Sequence, residues 1–368
     1  MASRALTWKS LLASACAVVL LGPAAAESPP HTVLAAAQGK NPGENALLII
    51  DPVARKVVAR VPLSGQPHNI AVSPDGKYAY TSNAIRGTDV KNFPGTASGE
   101  PLPPDSISVV DLETKKEVRV VKLGAGANPH GIWYTAGKVY YTAEGSKTVG
   151  RYDPKQDIVD WIGGVGQNRV HELVVTHDGT KIFTANIGSD NVAMLASWDK
   201  SIDVLTAGDN PPPWNVTIIP TGHGAEGIDI SPDEKEVWVL NGEDSSISVI
   251  DVASRKVTHT VELKTDGPLR ITLTPDGKYA LVPSGTAELL VVDTQSRAVI
   301  KRIPSVGTRS HGVVVSPDSR FAYVAAQGEA EIAVVDLETF TVTARIPTGT
   351  GKKAFDGIDG MGLAWRQQ

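Results

Sequence analysis

The chain has 368 residues, 41% of them hydrophobic, which is enough for a large core. Its formal charge of −5 leaves no electrostatic footprint for nucleic acid, so no nucleic-acid partner is expected. The single cysteine, Cys16, lies near the N-terminus; disulfides, thiol catalysis and thiolate metal sites are therefore excluded from the rest of the chain.

Residues 1–26 read as a secretory signal peptide. Arg4 and Lys9 supply the positive start, Leu11 to Leu21 a short apolar run, and Ala24-Ala25-Ala26 a small-residue cleavage site. The apolar run is too short for a stable membrane span. Residues 27–368 are expected to form a single monomeric domain in a periplasmic or secreted protein. Residues 32–65 hold three β-like runs, among them Ala46–Asp51 and Lys56–Val61. A fuller unit opens at His68. Its runs are Asn69–Val72, Lys77–Thr81, Ser106–Val110 and Glu117–Leu123, rich in β-branched and aromatic residues. Ser73-Pro74-Asp75-Gly76 joins the first two, because Pro presets φ for a turn and Gly accepts positive φ. The same order recurs from Pro129-His130, Val170-His171, Ala225-Glu226, Pro268-Leu269 and Ser310-His311.

The ring-opening positions His130 and His171 are 41 residues apart, Glu226 and Leu269 43, and Leu269 and His311 42. A fixed period of this length marks a repeat architecture. The first unit lacks its first run, and Gly362–Trp365 at the C-terminus supplies one. That split predicts an all-β, seven-bladed β-propeller closed by pairing of the C-terminal strand with the first blade, an arrangement that leaves few open sheet edges. The acids at the ends of third runs, Asp111, Asp251, Asp293 and Asp336, read as turn residues.

Pro129-His130-Gly131-Ile132, Ser73 through Tyr80 and Ser246 through Asp251 resemble the YVTN-type repeat, of about 40 residues, of the quinoprotein-amine-dehydrogenase-like propellers. The resemblance covers most of the chain after the signal. It implies the fold and leaves the activity open, since one scaffold hosts many functions. Similar propellers include dehydrogenase subunits without a cofactor of their own, lactonases, haem-d1 domains, copper oxidoreductases and binding or adhesion modules.

Function is expected where the repeat breaks. His68 to His130 is 62 residues and His171 to Glu226 is 55, which locates insertions at 84–105, between second and third strands, and at 198–214, between third and fourth. A smaller one, 351–360, precedes the closing strand. Propeller topology puts 84–105 and 351–360 on the face where inner strands begin, and 198–214 on the other. Loops on a rigid scaffold are where binding sites usually sit. Arg86, Lys91 and Lys353 in these loops, with Glu172 and Arg270 on the rim, form the candidate ligand-binding set for a protein or small-molecule partner, a redox partner included.

His68, His130, His171 and His311 share one repeat position, which Glu226, Leu269 and Met361 fill in the other blades. The position begins the inner strand, so these side chains are expected to converge on the mouth of the central channel. His68, His130, His171, Glu226 and His311 are the candidate metal ligands, a set suited to zinc, copper or iron, haem iron included. The repeat alone also explains a ring of histidines, through caps on strand ends. The leading reading is a non-catalytic binding or accessory module. The alternatives are a metal- or cofactor-dependent oxidoreductase using the histidines, and a lactonase-like hydrolase.

Overall fold

The computed structural model describes residues 31–39, 43–84, 105–197, 214–352 and 357–365. The signal segment, Arg86, Lys91 and Lys353 lie outside the described residues, as does most of the 84–105 insertion.

The described strands form seven four-stranded antiparallel sheets. The first blade is β1 (His31–Gln38), β2 (Ala46–Asp51), β3 (Lys56–Pro62) and, at its inner edge, the C-terminal strand β28 (Gly357–Trp365). The pairing of β28 with β1 runs from His31 opposite Trp365 to Gln38 opposite Gly357. The ring is thus closed by a strand from the far end of the chain, as the split repeat requires. The second blade is β4 (Pro67–Val72), β5 (Tyr78–Asn83), β6 (Ser106–Asp111) and β7 (Lys116–Lys122). The inner strands of the remaining blades are β8 (Pro129–Thr135), β12 (Val170–Val175), β16 (Ala225–Ile230), β20 (Thr272–Leu273) and β24 (Ser310–Val315).

The core lies in the seams between blades. Second and third strands are covered on both faces, so they read as nearly unbroken apolar runs, Leu47-Leu48-Ile49-Ile50 being one. Outer strands alternate instead, exposed to solvent on one face. In the seam between seventh and first blades, Tyr323 and Val334 pack with Val33, Leu48, Ile358 and Met361.

Turn chemistry explains the repeated polar residues. The Ser73 hydroxyl donates to Asp75 at 2.6 Å and accepts from the Tyr78 amide at 2.9 Å, while Gly76 takes φ +66°. That hydroxyl bond holds the Asp75 carboxyl below its ordinary range. Asp111 accepts from the Glu113 and Thr114 amides, and Asp251, Asp293 and Asp336 do the same in their own turns. These acids are architecture. The insertions fall where the spacing puts them: residues 84–105 between β5 and β6, and 198–214 between β14 (Asn191–Ala196) and β15 (Asn215–Pro220). The third is shorter than expected, since β28 already begins at Gly357.

Candidate functional site

A break in register at the start of the inner strand decides where side chains point. It falls between Pro67 and Ile70, Pro129 and Ile132, Val170 and Glu172, Ala225 and Ile228, and Ser310 and Val313. A bulge of this kind re-aims neighbouring side chains. Three ring-position histidines do not line the channel: His68, His130 and His171 are 2%, 1% and 0% exposed. In five blades the next residue lines the channel: Gly360, Asn69, Glu172, Arg270 and Gly312.

That next position alternates around the ring. In blade order it reads Gly360, Asn69, Gly131, Glu172, Gly227, Arg270, Gly312. A Cβ on Gly131 would lie 2.9 Å from Glu172 Cα and from the His171 carbonyl oxygen; one on Gly227 would lie 2.8 Å from the Leu269 oxygen and 3.0 Å from Arg270 Cα. The glycines therefore make room for the polar residue on the following blade. Gly360 packs in the same way against His68 and Asn69, which places Asp359 at the ring position of the first blade. Met361, expected there, instead lines the channel two residues further in. The strand starts earlier than its apolar stretch implied, and this shifts the alignment.

Asn69, Glu172 and Arg270 join across the glycines into one polar bar. Asn69 Nδ2 donates to Glu172 Oε1 at 2.7 Å, and Arg270 Nη2 lies 3.1 Å from the same oxygen. Arg270 Nη1 is 3.8 Å from Glu226 Oε1. Below the bar lies a cavity of about 400 Å³, with Ile132, Leu173 and Leu363 among its further walls.

Behind the bar the imidazoles stack. The His130 and His171 ring centroids are 3.5 Å apart with planes tilted by 32°, and His68 meets His130 edge-on at 4.0 Å. His130 Nδ1 is 3.1 Å from Glu172 Oε1. His171 Nδ1 is 2.6 Å from Glu144 Oε1, and since a carboxylate only accepts, that nitrogen carries a proton. His171 Nε2 faces Glu226 Oε1 at 3.4 Å without hydrogen-bond geometry. Arg169 Nε stands 4.0 Å from Glu144, so in this group three carboxylates meet two guanidiniums.

The backbone under the stack is pegged. Thr142 Oγ1 accepts from the Gly131 amide and donates to the His171 carbonyl, at 2.8 and 2.6 Å. Ser82 Oγ bridges the Asn69 amide and the His130 carbonyl in the same way, at 3.2 and 2.6 Å. The equivalent positions in the next four blades are Ala185, Leu240, Pro283 and Ala325, whose side chains carry no hydroxyl.

The structure thus brings His68, His130, His171, Glu172, Glu226 and Arg270 together. His311, half-buried on the seventh blade, stands outside the set of His130, His171 and Glu172, whose ligand atoms all lie within 4.8 Å of one another. Among the described residues that is the one such set of three or more. His223 is tied elsewhere, with Nδ1 3.0 Å from Asp190, and this contact raises its pKa above the ordinary imidazole range. Glu144, Asn69, Ser82 and Thr142 escape a reading based on the histidine position alone. The signal for Asn69 is present in the sequence as the alternation with glycine.

One further acid is unusual. Asp229 is wedged in the seam between fifth and sixth blades, where it accepts from its neighbour Ile230 and, across the seam, from the Leu273 amide, each at 2.8 Å. The residue as a whole is half-buried, and both of its carboxyl oxygens are held by backbone amides. Burial pushes its pKa from 3.8 up to about 6. The folded protein therefore keeps a proton that the unfolded chain has lost between those values. Its stabilising contribution is full below pH 3.8 and is lost as pH rises through about 6. The stability of the wild type relative to Asp229→Asn, from urea unfolding across this range, is expected to fall by about 3 kcal/mol. A difference independent of pH contradicts this placement.

Comparison with known proteins agrees with this architecture. The YncE-like β-propeller family matches residues 139–319. YncE of Salmonella typhi is 27% identical over 184 residues, which is 49% of this chain and 48% of YncE, so the match spans about half the length of that relative. Among solved structures, a functionally unknown protein from Desulfotomaculum acetoxidans superposes with a TM-score of 0.70 at 10% identity, over 91% of this chain and 99% of its own. Hydrazine synthase of Kuenenia stuttgartiensis superposes at 0.62 with 19% identity, over 86% and 98%. At these identities the structural likeness shows the fold alone. Among the described residues no helix is long and apolar enough to cross a membrane.

Proposed function

This chain is a seven-bladed β-propeller that the YncE-like β-propeller family matches over residues 139–319, and from that premise we propose that it is a periplasmic or secreted ligand-binding module whose site is the mouth of the central channel. One observation carries the reading: the polar bar Asn69–Glu172–Arg270, built over alternating glycines at the lip of a cavity of about 400 Å³. A concave hollow that sets apolar walls beside a few convergent polar groups is the usual form of a small-molecule site. Structural needs do not account for it, because glycine serves the same position in four blades. The secreted location is supported by the Arg4–Ala26 leader pattern.

The ligand this geometry fits is small, with an apolar body and a polar end that exchanges hydrogen bonds with Glu172 and Arg270. Protein purified without denaturant from its natural source is expected to show a bound small-molecule mass increment in native mass spectrometry. The double substitution E172Q/R270Q removes one charge of each sign and is expected to abolish that increment while circular dichroism stays unchanged. An increment that persists in this variant would place the ligand elsewhere.

A further inference from the structure

We propose that His130, His171, Glu172 and Glu226 hold one divalent transition-metal ion of the zinc or copper class. The proposal deepens the reading of the channel mouth as a binding site by naming its innermost occupant.

Two observations carry it. The first is the donor set. His130, His171 and Glu172 each offer a ligand atom within 4.8 Å of the others, and His171 Nε2 is 3.4 Å from Glu226 Oε1. Imidazole nitrogen with carboxylate oxygen suits zinc and divalent copper. Bonds of about 2.0–2.2 Å put neighbouring donors of a tetrahedral site roughly 3.4 Å apart. The His171–Glu226 pair already has that spacing; Glu226 stands outside the 4.8 Å set of the other three, so closing the site requires its carboxylate to rotate toward them.

The second is the state of His171. The ring is 0% exposed, and its Nδ1–H donates to Glu144. The remaining nitrogen is aimed at another carboxylate without hydrogen-bond geometry. In the neutral ring this sets a lone pair against a carboxylate oxygen, a repulsive contact unless a cation lies between them. The carboxylate on Nδ1 is also how metal-bound imidazoles are oriented and made more basic. The Ser82 and Thr142 pegs fix the backbone beneath both rings, and rigid support of this kind is what a metal site needs.

The full chain is stripped with EDTA, dialysed against Zn²⁺ and separately against Cu²⁺ near neutral pH, and assayed by elemental analysis and titration calorimetry. The expected result is one ion per chain. H171Q and E226Q are expected to abolish tight binding, and E144Q to weaken it by about 10–100-fold, the usual effect of losing such an orienting partner. H223Q and H259Q, on exposed imidazoles, should change nothing. Circular dichroism and thermal melts in EDTA identify any variant that fails to fold; E144Q and E226Q keep both imidazoles and serve if H171Q does. Retention below about one tenth of an ion, or equal retention in E226Q, overturns the proposal. In that case a small-molecule increment lost in E172Q/R270Q would still support the mouth as a binding site, so the two readings fail separately.

Discussion

Deletion of residues 357–368 is expected to abolish the single cooperative unfolding transition of the propeller. These residues include β28, which supplies the inner strand of the first blade and pairs with β1 along its length. Without it, Val33, Ala35 and Leu48 on one side of the seam and Tyr323 and Val334 on the other lose Ile358, Met361 and Leu363 as packing partners. Losing several buried side chains at once removes well beyond the 2–5 kcal/mol that a single large-to-small core change costs, a large share of the about 5–15 kcal/mol that holds a typical domain folded. The truncated ring would also present an unpaired strand edge. Urea unfolding followed by circular dichroism and tryptophan fluorescence tests this. The two probes should separate, and the truncated chain should bind a hydrophobic dye. A truncated chain that unfolds in one transition at the original midpoint contradicts closure by this strand.

The second large effect is expected at Arg270. Its guanidinium is 15% exposed and faces Glu172 and Glu226, themselves 14% and 17% exposed. Removing one partner of a desolvated pair leaves charge without compensation, which costs more than the pair contributes. Arg270→Ala is therefore expected to lower unfolding free energy by about 3 kcal/mol. Adding Glu172→Gln should recover part of that loss, because it removes one of the stranded charges. An additive double-mutant cycle, or an Arg270→Ala loss under about 0.5 kcal/mol, would show that these groups act as ordinary surface ions.

The architecture was legible because it is written many times. Ser73-Pro74-Asp75-Gly76 and its variants, the alternating outer strands and the missing first run of the first unit all follow from local turn chemistry and from the need to close a sheet. The direction of the ring histidines was not legible. It goes with a register break that the sequence does not announce: His68, His130 and His171 are buried in a stack, while Asn69, Glu172 and Arg270 line the channel. Glu172 and Arg270 were visible as departures from glycine; Asn69 required all seven blades to be aligned, and the place of Asp359 was hidden by the apolar residues that follow it. Glu144 sits just past the end of a second strand, where repeat patterns carry little information, and only folding brings it to His171. The role of the long insertion at 84–105 falls almost wholly outside the described residues.

A repeated scaffold carries one non-repeating site at the channel mouth. Crystals of the full chain soaked with a library of small fragments test this most directly. Difference density is predicted to cluster against Asn69, Glu172 and Arg270, with apolar parts reaching toward Ile132 and Leu363. Fragments bound only on outer strands or on the opposite face, with the mouth empty throughout, would contradict it.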